Sequence, residues 1–226
     1  MSILRCILIW LMMSLSLWVR ADEPANANND TIELPLKPFI RIGFDVSSVA
    51  RQFIEPEVRQ FEFTVDSEVK KNWFATLEGG FMNVLSDKAS FEYKANGYFA
   101  RAGMDYNLLG YADPVSQNDL VLLGVRYGYS YLQQEAPFFI IENPFWGEHQ
   151  SSMESNSYHL HWIELSGGLK TELFRNFFLG WTLKTRIRLS DSSNPLMDPY
   201  YIAGFGHGKR STPVMAQYFI FYRFGL

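Results

Sequence analysis

From about residue 37 onward the chain alternates apolar and polar residues over segments of about ten, each bounded by turn residues. No uninterrupted apolar stretch in this region approaches the ~18 residues that a transmembrane helix needs. A period of two is the strand signature, because successive side chains leave opposite faces of the backbone. In Phe39 to Ser48, Ile40, Ile42, Phe44 and Val46 share one face while Arg41, Gly43, Asp45 and Ser47 take the other. Val58 to Asp66 sets Phe61, Phe63 and Val65 against Gln60, Glu62, Thr64 and Asp66. The pattern recurs from Trp73 to Phe81, from Tyr98 to Asn107, from Asp119 to Gln133, from Trp162 to Lys170 and from Phe177 to Arg188. The last segment, Thr212 to Phe224, puts Ala216, Tyr218, Ile220, Tyr222 and Phe224 on the apolar face, although Phe219 and Phe221 compete for it.

Eight alternating segments without interspersed helical patterns predict an all-β, eight-stranded antiparallel up-and-down barrel. Periodicity alone leaves open which face is inside. A soluble, lipocalin-like carrier hides its apolar face, whereas an outer-membrane barrel turns that face to lipid. The composition bears on the choice, since 16% of residues are aromatic and the apolar faces carry Trp, Tyr and Phe near segment ends, as girdles at two lipid interfaces require. The polar faces alternate glycine with charge, which suits a narrow interior. Ten residues rising ~3.3 Å each and tilted ~40° cover about 25 Å, the height of the outer-membrane apolar band. The expectation is therefore a transmembrane barrel in the bacterial outer membrane, with lipid as its surroundings.

Residues before the first segment read as an address. Arg5 closes a short n-region, Cys6 to Trp18 is apolar apart from Ser14 and Ser16, and Val19 and Ala21 offer small residues to a signal peptidase. Residues 1–21 are expected to be a signal peptide, since the apolar stretch is short for a spanning anchor and acids follow it. Cys6 precedes the apolar core, which excludes a lipoprotein. Residues 22–36 are polar, aperiodic and rich in Asn and Ala, and read as a disordered periplasmic leader before a barrel domain over 37–226. With the leader in the periplasm, the two longest connections, 136–156 and 191–211, fall together on the outer side. The loop Pro137 to Ile141 with Pro144, Phe145 and Trp146 is the most apolar exposed feature expected there, a candidate for docking a partner.

In this arrangement Arg41, Asp45, Glu62, Glu78, Arg101, Asp105, Arg126, Glu164, Lys170, Lys184, Arg186 and Arg188 project into the lumen. Both signs are present, so the expectation is a plug of paired side chains, with a charge-lined conduit as the other reading. A formal net charge of −4 gives no footprint for nucleic acid. His149, His159, His161 and His207 fall near or beyond the outer rim without a carboxylate at metal-site spacing, and no metal or cofactor is expected. A lipid-modifying enzyme would have to combine His159 or His161 with Ser166 and Glu164, but no nucleophile motif surrounds them. Gly124, Gly128, Gly167, Gly168 and Gly180 alternate within strands and lack a phosphate-binding pattern.

The stretches Gly124 to Gly128, His161 to Lys170, Asn176 to Trp181 and Tyr201 to Phe205 resemble an uncharacterised family of exported barrel proteins, mainly from Bacteroidetes-type bacteria. The resemblance covers roughly Lys37 to Phe224. It implies an outer-membrane barrel, a monomer in this reading, and brings no catalytic residues. One departure is that Phe224 is followed by Gly225 and Leu226, where barrel-insertion signals usually end on an aromatic residue.

Overall fold

A computed structural model describes residues 38–88, 91–109, 118–143, 147–189, 199–208 and 212–225, so the expected signal peptide and leader lie outside the described residues. The chain forms β1 (Phe39–Asp45), α1 (Val46–Arg51), β2 (Val58–Lys70), β3 (Trp73–Lys88), β4 (Phe91–Asn107), β5 (Leu120–Asn143), β6 (Gly147–Phe174), β7 (Phe177–Arg188), a short β8 (Tyr201–Ile202) and β9 (Gly206–His207), and β10 (Val214–Gly225). Eight strands close into one antiparallel barrel in the order β1-β10-β7-β6-β5-β4-β3-β2, while β8 and β9 pair only with each other. Closure leaves no unpaired edge around the cylinder, which a membrane wall requires.

The register fixes the geometry. The row starting at Phe44 runs through Phe63, Gly79, Ala100 and Tyr129 to His161 on β6. In the other direction it runs through Ile220 and Leu179 to Thr171 on the same strand. The barrel therefore closes with a stagger of ten residues, from His161 to Thr171. With strands ~4.8 Å apart and residues rising ~3.3 Å, that stagger sets a tilt of about 40°.

Two tight turns lie at one end. Asn72 and Asn176 carry the positive φ values, 66° and 68°, that let a short connection reverse the chain. The carboxylates of Glu68 and Glu172 accept from their backbone N–H groups at 2.8 and 2.6 Å. At the opposite end β5 and β6 run on for 24 and 28 residues. Residues 136–143 and 147–156 are thus largely a continuation of this hairpin rather than the loop expected, with register shifts between Gln134, Ala136 and Phe139. Likewise β3 continues well past Phe81, where the expected third segment ends, and pairs with β4 out to Lys88 and Phe91. The first segment stops early, because Asp45 caps α1 by accepting from Ser47 N at 2.9 Å, so Val46 to Ser48 are helical rather than extended.

Sidedness is unambiguous. Ile42, Leu123 and Trp181 on the outer wall are 45%, 58% and 37% exposed, whereas Arg41, Arg126 and Arg186 inside are 2%, 5% and 1% exposed. The lipocalin-like alternative needs the reverse. The 191–211 connection corrects another expectation: Tyr201, Ile202, Ala203 and Phe205 are buried, and they pack with Met82, Tyr93, Phe99, Leu132 and Trp162 from the barrel wall. The hairpin β8–β9 therefore turns inward and does not present these side chains to a partner. Phe74, Leu120 and Leu122, with Phe178, Phe219 and Phe221, are buried toward the short-turn end.

Glycine makes room for these inward aromatics. Gly128 lies opposite Trp162, and a Cβ there would fall inside the indole ring; Gly167 faces out with nothing near. Gly128→Val is expected to lower unfolding stability by about 1–3 kcal/mol through overpacking, whereas Gly167→Val changes it by less than about 0.5 kcal/mol. Urea unfolding of the barrel in detergent micelles checks both.

Candidate functional site

The inward positions of the barrel strands meet in a layer of charge. Glu62 from β2, Glu78 from β3 and Glu164 from β6 converge with Arg101 from β4, Arg126 from β5, and Lys184 and Arg186 from β7, all buried. Each strand contributes because its inward face repeats every second residue. Arg101 sits at the centre. Its guanidinium pairs with Glu62, with Glu78 at 2.8 Å and with Glu164 at 3.0 Å. Lys184 reaches Glu78 at 2.8 Å, Glu62 at 3.4 Å and Glu164 at 3.7 Å. Arg126 grips both oxygens of Asp105 at 2.9 Å and approaches Glu78 and Glu164 at 3.5 and 3.6 Å. Arg186 donates from Nε to Glu164 at 2.6 Å.

Two further groups extend the layer. Toward the short-turn end, Arg41 pairs with Asp66 at 2.6 Å, and Lys170 bonds the other oxygen of Asp66. The Arg41 guanidinium also lies over the rings of Phe39, Phe74 and Phe178, at 5.1, 4.9 and 5.3 Å. Asp45 is brought in without a cation. The amide of Gln217 donates to Asp45 at 2.7 Å and to Glu62 at 3.0 Å, joining two carboxylates that would otherwise repel.

Among the described residues the buried charges number six acids (Asp45, Glu62, Asp66, Glu78, Asp105, Glu164) and six bases (Arg41, Arg101, Arg126, Lys170, Lys184, Arg186). A balanced set can satisfy itself, and isolated charges in such an interior would each cost several kcal/mol. The arginines also hold the inward hairpin. Arg186 donates to the carbonyl of Phe205 at 2.9 Å, Arg101 to that of Gly204 at 3.4 Å and Arg188 to that of Gly208 at 3.2 Å. Gly204, at φ 71°, lies under Phe99 where a side chain would collide with the ring.

Of the twelve charges expected to project into the lumen, eleven are buried there, Asp45 through an amide rather than an ion pair, and Arg188 is half-buried against the Gly208 carbonyl. That expected network leaves out Asp66 and Gln217, although parity with Glu62 and Tyr218 respectively would have placed the first inside and the second opposite the apolar face. The His, Ser and Glu constellation that a lipid-modifying enzyme would need is not assembled. Glu164 and Ser166 face the interior, while His159 and His161 stand on the outer wall, hydrogen-bonded to Tyr129 and Tyr127. One strand cannot bring residues of opposite parity to one site. His207 packs on the rings of Tyr200 and Tyr201. Among the described residues, no group of three or more His, Cys, Asp or Glu side chains is arranged to hold a metal ion. On the projecting strands, Lys94 contacts Glu92 at 2.9 Å and Glu135 at 3.9 Å, and its ammonium is held above the usual lysine range chiefly by the Glu92 hydrogen bond.

A closed antiparallel barrel with an apolar outside and an ionic inside defines the class. The chain belongs to the family described as Domain of unknown function (DUF6048), whose model matches residues 2–226. No curated protein matches the sequence. Among solved structures it is similar to a major outer membrane protein from Thermus thermophilus, at 12% identity and a TM-score of 0.49 over 83% of this chain and 98% of that one. It is also similar to Ail, the attachment invasion locus protein of Yersinia pestis, at 11% identity and a TM-score of 0.43 over 83% and 97% of the two chains. A third similar structure is the N-terminal β-barrel domain of Pseudomonas aeruginosa OprF, at 9% identity and a TM-score of 0.32 over 83% and 98%.

Removing one buried partner strands the rest. Glu164→Gln is expected to destabilise the barrel by about 3–5 kcal/mol. Glu57→Gln, which breaks an exposed 3.3 Å pair with Lys88, costs less than about 1 kcal/mol. The two urea midpoints in the same micelle distinguish them.

Proposed function

We propose that this protein is a non-enzymatic outer-membrane barrel whose lumen is plugged and whose projecting strands serve envelope architecture or contact with a partner. The observation that carries the reading is the sidedness of the wall. Large apolar side chains on every barrel strand face outward, while twelve charged ones among the described residues are buried inside. Such a surface is costly in water and favourable against acyl chains. The export address at residues 1–21 supplies a route to the outer membrane.

The plug has two components. The ionic layer fills the middle, and the β8–β9 hairpin occupies the space beyond it, tied down by arginine contacts to its carbonyls. Eight strands leave an interior that side chains alone can fill. The outward-projecting β5–β6 hairpin, rather than the buried stretch from Tyr201 to Phe205, is then the element available to a partner.

Membrane fractionation tests this directly. The protein is expected to resist urea and carbonate washes, to leave the outer-membrane fraction only with detergent, and to migrate faster on gels before boiling than after. Release by urea alone overturns the reading. In planar bilayers the barrel is expected to show no steady conductance, and a persistent open current contradicts the plug.

A further inference from the structure

We infer that the outer wall of β5 and β6 carries a binding site for the sugar headgroup of a glycolipid in the outer leaflet. The site is a polar seam at the outer end of a wall that is largely apolar. Tyr127 bonds His161 Nδ1 at 2.6 Å, Tyr129 bonds His159 Nδ1 at 2.7 Å and Tyr131 bonds Ser157 at 3.0 Å. One step farther out, Gln133 donates to Ser155 at 2.8 Å. The rings are packed as well as bonded, with Tyr129 5.1 Å from His161 and Tyr131 5.2 Å from His159.

Height decides what this seam meets, and here the inference rests on the membrane reading. At a tilt of ~40° each residue climbs about 2.5 Å, so a 25 Å apolar band that starts at Phe174 ends near Glu164. Below that level the outward residues of β6 include Leu173, Leu169 and Leu165, with Thr171 among them, and Ile163 sits at the boundary itself; all are exposed. His161 and His159 come next, roughly 7–12 Å above the band, in the headgroup layer. The adjoining register supports the same boundary. Phe81, Tyr98, Tyr131 and His159 form one cross-strand row, and Asn83, Asn96, Gln133 and Ser157 form the next, where Asn83 donates to Asn96 at 2.7 Å.

The chemistry of the seam selects a hydroxyl-rich ligand over a phosphate. Aromatic faces stack on the C–H faces of a pyranose, and phenol, imidazole, amide and hydroxyl groups both donate and accept, as sugar hydroxyls require. Neither lysine nor arginine is part of the seam, and a phosphate group calls for one. Tyr129 and His159 Nδ1 are hydrogen-bonded whichever of them donates, and where the hydroxyl donates, the imidazole Nε2–H is the group that donates outward.

The test uses the protein purified from membranes and placed in nanodiscs of phosphatidylethanolamine, phosphatidylglycerol and monoglucosyl diacylglycerol in equal parts with identical acyl chains. Native mass spectrometry then reads which lipid stays bound. The glucosyl lipid is expected to be retained about tenfold over either phospholipid. In a Tyr129→Phe, His159→Ala variant that keeps its heat-dependent gel shift, the preference falls to parity. Equal retention by the unaltered protein, a preference for phosphatidylglycerol, or an unchanged preference in the variant each overturns the site while leaving the barrel reading intact. Failure of the folded protein to enter nanodiscs overturns both.

Discussion

Backbone amides cannot be left unpaired in hydrocarbon, and everything else in this molecule follows from that requirement. A sheet that crosses lipid must close. Once it closes on eight strands with a stagger of ten residues, each strand has one apolar face outward, toward acyl chains in the proposed membrane reading, and the other toward a narrow interior. The interior is too small for bulk water around each charge, so charges must answer one another. Arg101 meeting Glu62, Glu78 and Glu164 is the result, and the six-to-six balance of buried acids and bases extends it through the lumen.

The layers on either side of the ions are tied to them. Phe74 and Phe178 share the Arg41 guanidinium, and Phe219 lies 5.2 Å from the Lys184 ammonium. At the other side the same arginines that bind carboxylates bind carbonyls of the inward hairpin. Burying ion pairs is weak evidence of net stabilisation. Its value here lies in register. A slip of one residue would carry Glu164 and Arg186 to the lipid face and Leu165 and Ile187 inside, which both solvents oppose.

That rule of parity is also why so much was legible in the sequence. Strands β2, β4, β7 and β10 fall where alternation places them, and the buried positions of the expected lumen charges follow from phase alone. What alternation does not encode is where an irregular segment goes. Tyr201 to His207 has no strand period, and its inward course depends on space that Gly97 and Gly204 leave beside Ala203 and Phe99. Phe219 and Phe221 were equally opaque, because an aromatic residue on a polar face reads as noise until its partner is known, whereas Trp162 falls in phase with Glu164 and Ser166. Gly43 and Gly180 are the partners of Phe221. The β5–β6 extension was hidden by its bulges, which break the period around Ala136.

The central claim is that the apolar wall faces acyl chains. Cys6 is the sole cysteine and lies in the expected signal peptide, so spin labels can be attached singly at introduced cysteines in a lipid-reconstituted barrel. Labels at Leu77, Leu123 and Ile220 should be relaxed strongly by oxygen and weakly by a water-soluble nickel chelate. Strong relaxation by the chelate at all three positions, with oxygen having little effect, would contradict the account.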